Sequence, residues 1–489
     1  MIALVLGTLG CPHKSTLTKA PASVTAVFPA ARFVPAQPTY VVSARTMRDA
    51  QSAFTSVIDM LGMAAGFEIS EASRELSKLL GVDPMSADAV AAIGVDLEGS
   101  VAVFSEGVNP TFVVHLKSAE AMTGFLEGQR QRGMRTQSVI SGGTEVFTAR
   151  LASDAHISWA LDKDWMWIHF SFGGADNVDW FENSKEPTGA GWVDGWKWAE
   201  AAAAKADVVG VLDLQGVFGA IATRAPEALA CGRQLAAVKR VGFNFDIEPK
   251  RIAAQLTFDL GAAGKQVEGV LLPPPPGWIT AGTNAPIAAA VNVDLPVAAA
   301  WLEVCSGDDD FRVALDEIGV RSFRAFLHSL DPDENEGVGA VAADLNSARY
   351  FRTLLDRIPG RSMAESARTF GQYKGKHISV PFVGKGDYVL TDQLAIGAMG
   401  DGVLARVGTP SSSVNSAGNG AALIGPPPIL ALDVRPPGLA ADVWQFLVEQ
   451  LELPEPKRLV QRLLLWNELH LGAHLTDAIL VIEAHGNRR

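Results

Sequence analysis

Apolar positions along this chain fall into a unit that recurs. An apolar run ends in a small polar or acidic residue, apolar residues then return at every third or fourth position, and a pair of alternating runs around a polar turn follows. The stretches "AAAVNVDLPVAAAWLEV" and "VGAVAADLNSARYFRTLLDRI" carry the first two parts, the run ending at Asp294 or Asp344. The stretches "VGFNFDIEPKRIAAQLTFDL" and "ELHLGAHLTDAILVIEAH" carry the third. Spacing of three and four is that of an amphipathic helix and alternation that of a half-buried strand, so the unit predicts strand, helix, hairpin. Repeated, it predicts an α+β fold of mainly antiparallel sheet with helices covering one face. Asp213, Asp294, Asp344 and Asp433 end four such runs, where a short acceptor side chain suits the free amides of a helix's first turn.

The pattern also repeats over a longer distance. Placing "TFVVHLKSAEAMTGFL" on "VAADLNSARYFRTLL" sets Leu116, Ser118, Ala119 and Leu126 on Leu345, Ser347, Ala348 and Leu355, an offset of 229. The same offset sets "WALDKDWMW" on "YVLTDQLAI", Leu161 meeting Leu390 and Trp165 and Trp167 meeting Leu394 and Ile396. A second match sets Asp213 on Asp433 at an offset of 220. Two tandem related lobes are therefore expected, over 39–270 and 285–486. Between them, 271–284 opens "LLPPPPGW", whose prolines remove backbone donors and favour an extended linker. The lobes differ most where "GTPSSSVNSAGNGAALIGPPP" stands in the second against "GGADNVDWFENSKEPTGAGWVDGWKW" in the first.

The N-terminus has another character. Residues 1–10 form a short apolar run up to Cys11, and 11–38 are polar with Pro12, Pro21, Pro29, Pro35 and Pro38, the layout of a secretion signal followed by an extended tether. The run Thr8-Leu9-Gly10-Cys11 resembles the lipobox of bacterial lipoproteins, in which a small residue precedes a cysteine that takes a diacylglyceryl group and becomes the mature N-terminus. The resemblance covers about a dozen residues. It departs from the usual pattern at Thr8, where Leu is usual, at Leu9, where a small residue is usual, and in having no Lys or Arg before the run. It implies lipidation at Cys11 and a protein of the bacterial cell envelope, at the outer membrane facing the periplasm or the surface, with the membrane as its partner through the lipid.

Charge and cysteine content narrow the partners. The 489 residues carry a formal charge of -13, which repels phosphates and excludes nucleic acid as a partner. Three cysteines, Cys11, Cys231 and Cys305, exclude a disulfide scaffold. With Cys11 acylated the other two remain; both lie in apolar helical patterns and are expected as buried, unpaired thiols.

No stretch carries a recognisable catalytic pattern. "DPDENEG" opens like a calcium loop at Asp331, Asp333 and Asn335, but Glu336 stands where Gly is needed and Ala342 where a bidentate Glu is needed, so a solvated hairpin turn is expected. "HLGAH" sets His470 and His474 on a strand pattern rather than on the helix of a zinc pair. "GAMGDG" has the wrong glycine order for a phosphate loop. No metal and no cofactor are expected. The unusual local feature is aromatic: Trp180, Trp192, Trp196 and Trp198 flank a loop rich in Gly, Asn, Asp and Glu, a composition suited to stacking on sugar rings or seating at a lipid boundary. Trp165 and Trp167 share one face of a strand and are expected in the core. The sequence thus points to an envelope-localised, lipid-anchored binding or structural protein without catalytic activity, its ligand a glycan, an apolar molecule or an envelope protein. The alternative is a hydrolase-like envelope enzyme of unrecognised type.

Overall fold

The structure is a computed structural model. It describes residues 24–65, 74, 77 and 81–489, apart from 152–154, 173–177, 186–205, 217–237, 273–283, 359–363, 381–383, 408–428, 451–455 and several single or paired residues. The first strands in chain order are β1 (Tyr40–Ala44), β2 (Val101–Ser105), β3 (Pro110–His115), β4 (Thr136–Ser141), β5 (Thr144–Arg150), β6 (Ala155–Asp162), β7 (Trp165–Phe172), β8 (Val208–Asp213), β9 (Arg240–Glu248) and β10 (Arg251–Asp259). Side by side they run 4-5-6-7-3-2-1-8-9-10, every neighbour antiparallel.

The next ten strands are β11 (Ile287–Val291), β12 (Val320–Asp331), β13 (Glu336–Leu345), β14 (Glu365–Phe370), β15 (Tyr373–Val380), β16 (Gly384–Leu390), β17 (Leu394–Met399), β18 (Leu430–Val434), β19 (Trp466–Thr476) and β20 (Ile479–Arg488). Their order is 14-15-16-17-13-12-11-18-19-20, again antiparallel throughout. Each strand has the neighbours of the strand ten before it. Antiparallel β10 and β20 pair from Arg251 opposite Asn487 to Asp259 opposite Ile479, joining the two sets into one large open sheet.

Individual hydrogen bonds follow the same correspondence. Leu116 donates its amide to the Asp164 carbonyl at 2.7 Å, and Leu345, 229 residues on, donates to the Gln393 carbonyl at 2.9 Å. The second expected offset needs adjusting. Asp213 donates to the Thr39 carbonyl as Arg435 donates to that of Pro286, so β8 and β18 correspond at 222, not 220.

Helices lie on both faces of the sheet rather than on one. Helices Met47–Ala65 and Ala119–Gln131 cover the face carrying Val101, Val114 and Met166. The opposite face of β1, β2, β3 and β7 carries Val41, Ala102, Val113 and Trp167 and packs on helix Asp179–Lys185 and on residues 24–34. The expectation of an extended tether over 11–38 is therefore corrected from Val24 onward. Phe28, Ala30 and Val34 are buried, and the Phe33 ring stands edge-on to Trp165 and Trp167 at 4.9 and 5.0 Å. The five prolines of 11–38 read as a spacer, yet the apolar side chains from Val24 onward cover a sheet face.

Three of the four strand-end acids, Asp294, Asp344 and Asp433, are also corrected. Ser86 and Ser118 accept from the amides of Ala89 and Ala121, and Thr46 and Asp49 cap reciprocally. Asp294 instead binds Arg321, Asp344 binds Ser322 and Arg324, and Asp433 binds His470. Asp331 does form the expected turn, its Oδ1 accepting from the amides of Asp333 and Glu334.

Candidate functional site

Alternate residues of a strand share a face, and four adjacent strands use this to build an apolar floor. Val101 lies opposite Val114 and Val103 opposite Phe112. Val114 lies in turn opposite Met166, and Phe112 opposite Ile168. Ile168 completes the row opposite Trp159. Above this floor helix Met47–Ala65 places Ala50, Gln51 and Phe54, and helix Ala119–Gln131 places Met122, Phe125 and Gln129. Between floor and helices lies a cavity of about 390 Å³. Phe54 and Leu151, 39% and 41% exposed, place its opening at the surface.

Among the described residues its wall is apolar and aromatic except for two amides, Gln51 and Gln129. Gln51 Nε2 donates to the Pro84 carbonyl at 2.8 Å. Gln129 Nε2 is buried and has no hydrogen-bond partner. A volume in the range of roughly 300–1,000 Å³, apolar walls and a few fixed polar groups are the attributes of small-molecule sites. Such a space takes up apolar matter and gives a water molecule little to bond to.

The corresponding floor of the second ten strands is made differently. There Val341 lies opposite Gly397 and Ala343 opposite Ala395, where the first set has Phe112, Ile168, Val114 and Met166. Tyr388, opposite Gly397, takes the place of Trp159. Val341 is 55% exposed. This floor carries less bulk than the first, and one of its side chains faces outward to solvent.

Of the residues expected to bind, Trp180 is packed away from the cavity. Its ring stacks on His169 at 4.7 Å and stands edge-on to Phe181 at 5.7 Å, against the core that holds Trp165 and Trp167. Trp192, Trp196 and Trp198 lie outside the described residues, as do Cys11 and Cys231, and Cys305 falls in helix Leu295–Ser306 with its side chain outside them too. None of the cavity's residues is among those the sequence marks for binding.

Titratable groups gather elsewhere. His470 is buried, with Nδ1 2.7 Å from Asp433 Oδ1 and Nε2 3.9 Å from Glu483 Oε1. The His485 ring lies 4.6 Å from it. Burial opposes the charge on His470, but Asp433, Glu483 and Glu468 outweigh it and raise its pKa. Burial, with the neighbouring His470, lowers that of His485. His169, whose Nδ1 meets Thr111 Oγ1 at 2.8 Å, is pushed down to about 4 by burial. Among the described residues no group of three His, Cys, Asp or Glu side chains is placed to hold a metal ion, and no helix is long and apolar enough to cross a membrane.

No protein-family model and no curated protein sequence matches the chain. Solved structures of TP0453 are similar to it at low level: crystal forms III, I and IV each give a TM-score of 0.26, with 10%, 7% and 10% identity over 49%, 49% and 51% of this chain and 85%, 80% and 87% of theirs. A likeness of that size carries no argument about fold or ligand.

Proposed function

We propose that the chain is an envelope-localised, lipid-anchored binding protein without catalytic activity, built of two tandem related lobes, and that it takes an apolar ligand into the cavity of the first. The observation that carries this reading is the cavity itself, about 390 Å³ and lined, among the described residues, by apolar and aromatic side chains and two amides. The identical strand order of the two sets supports an origin by duplication, and the smaller bulk of the second floor supports a division of labour after it. Trp180, engaged by His169 and Phe181, gives a glycan platform no support.

The test uses the uncharged fluorophore N-phenyl-1-naphthylamine and the full chain. Saturable binding with one site per chain is expected, together with its loss in Ala50→Trp, which places an indole in the cavity from the helix above. Binding that persists unchanged in a folded Ala50→Trp protein would remove the cavity from the account.

A further inference from the structure

The large sheet ends at two strands that hold the same place in their sets, β4 and β14. Among the described residues β4 pairs with β5 alone and β14 with β15 alone. Four consecutive residues of each, 137–140 and 366–369, are exposed. An edge strand presents amides and carbonyls to any other strand, and proteins ordinarily blunt it with charge, proline or a bulge. The strand β14, "ESARTF", follows that rule with Glu365 and an exposed Arg368. Its equivalent β4, "TQSVIS", uses none of these devices. It carries no charged residue and no proline, its register with β5 is unbroken, and Val139 and Ile140 are 54% and 77% exposed.

The turn decides which backbone groups of β4 point outward. Ser141 and Thr144 flank Gly142 and Gly143, whose φ angles of +55° and +75° make a two-residue hairpin turn of the kind whose flanking residues bond each other. Bonded and non-bonded pairs alternate from there. Ser141, Val139 and Gln137 therefore turn N–H and C=O toward β5, while Ile140, Ser138 and Thr136 turn theirs away from it. This outward set is symmetric about Ser138. A second β4 laid antiparallel, Ser138 facing Ser138 and Thr136 facing Ile140, satisfies all of it, each facing pair exchanging both of its bonds.

We propose that β4 is the pairing edge for a second copy of this chain, in a twofold dimer joined through antiparallel β4 strands. The two edges together identify the occupant. Uncharged β4 is complementary to itself, and the charges of β14 guard the other end, so pairing closes at two copies instead of running on as a filament. A handful of paired residues a side is small against the roughly 20–30 of a standard interface, so the dimer is weak in solution. Copies tethered to one bilayer, as proposed above, meet at a higher effective concentration. The dimer is independent of what the cavity binds.

Sedimentation velocity over about 5–500 μM tests it, a range suited to a weak dimer. The sample is the full chain with Cys11→Ser under reducing conditions, which keeps lipid and disulfides out of the association. A reversible monomer–dimer equilibrium with its midpoint inside that range is expected. Ser138→Pro removes an outward N–H and leaves the β4–β5 bonds in place, the position at which an edge strand tolerates proline. Ile140→Lys puts a charge on the edge without touching the backbone. Each should raise the midpoint concentration at least about tenfold while the urea midpoint of unfolding holds. If Ser138→Pro does not fold, Ile140→Lys decides. A chain that stays monomeric over the whole range overturns the proposal, including the case in which β4 takes a strand of another protein. A dimer undiminished in folded Ile140→Lys overturns it as well.

Discussion

Gly94 and Gly319 turn the same corner in the two strand sets. Their φ angles are +93° and +76°, and a Cβ on either would stand 2.3 or 2.5 Å from the backbone carbonyl oxygen of Ser118 or Ser347. Those carbonyls precede the helices Ala119–Gln131 and Arg349–Asp356, so each glycine lets the chain pass directly beneath a helix start. Neither backbone can yield without moving a helix.

Alanine at either position meets two obstacles, the left-handed φ and the carbonyl. Gly402 provides the contrast, since its φ is +71° but nothing lies within 4 Å of its would-be Cβ. Gly402→Ala should cost the conformational penalty of about 1–2 kcal/mol, and Gly94→Ala and Gly319→Ala distinctly more. Urea midpoints of the three variants decide it, and equal losses would show that the carbonyl contact yields freely.

The same corner shows how much of the fold could be read in the chain. The offset of 229 was legible because helix spacing and strand alternation both persist through Leu116 to Leu126 and Leu345 to Leu355, and it reappears in the hydrogen bonds of Leu116 and Leu345. The offset between β8 and β18 was misread by two residues. A shift of two leaves every side chain on the face it had, so alternation cannot detect it, and the matching acids at Asp213 and Asp433 drew the alignment to them. Residues 24–34 were misread because prolines describe local stiffness while burial depends on a distant sheet face. The cavity was not legible at all. Phe112, Trp159 and Ile168 look the same in sequence whether a helix packs tightly on them or stands off.

Arg324 is buried in the second strand set, and breaking its contacts has a predictable cost. Its Nε donates to Asn292 Oδ1 at 2.9 Å and its Nη2 to Asp344 Oδ2 at 2.9 Å and to the Leu272 carbonyl at 3.2 Å. Arg324→Met removes the cation from beside Asp344, which keeps the Ser322 hydroxyl as a donor, a loss of about 3 kcal/mol. Asp344 is 31% exposed, which keeps the loss toward the lower end of the range for buried pairs. Adding Asp344→Asn should recover part of it. Chemical denaturation of the single and double variants measures this, and a double variant no more stable than Arg324→Met would show the ion pair to be incidental.

Stability should fall on mild acidification, and His169 sets the window. Its pKa is about 4 in the fold against 6.5 unfolded. A depressed histidine is neutral in the fold, so its contribution is intact above 6.5 and is lost as pH falls from there toward 4, on the order of 3 kcal/mol in all. His470 works in the opposite sense: its raised pKa stabilises the fold fully below 6.5, and that contribution is lost as pH rises through its folded value. Replacing His169 with Gln, which keeps a partner for Thr111, should flatten the fall in unfolding free energy between pH 7 and pH 4.5. An unaltered acid limb in that variant would assign the acid sensitivity to other groups.

The anchor is testable apart from the fold. Each buried methylene contributes roughly 0.8 kcal/mol to membrane attachment, so one acyl chain holds a protein only marginally and several hold it stably. If Cys11 carries the diacylglyceryl group that its neighbours Thr8 to Gly10 suggest, metabolic labelling with a palmitate analogue should mark the wild type and spare Cys11→Ser, and that variant should leave the membrane fraction. The structure adds a distance. Val24 is buried in the first core, and the chain from Cys11 to Val24 can reach at most about 45 Å when fully extended. A lipid at Cys11 therefore holds Val24, and the core it is buried in, on a tether of at most about 45 Å from the bilayer surface. Equal labelling of wild type and Cys11→Ser would place the acyl group elsewhere or nowhere and remove that constraint.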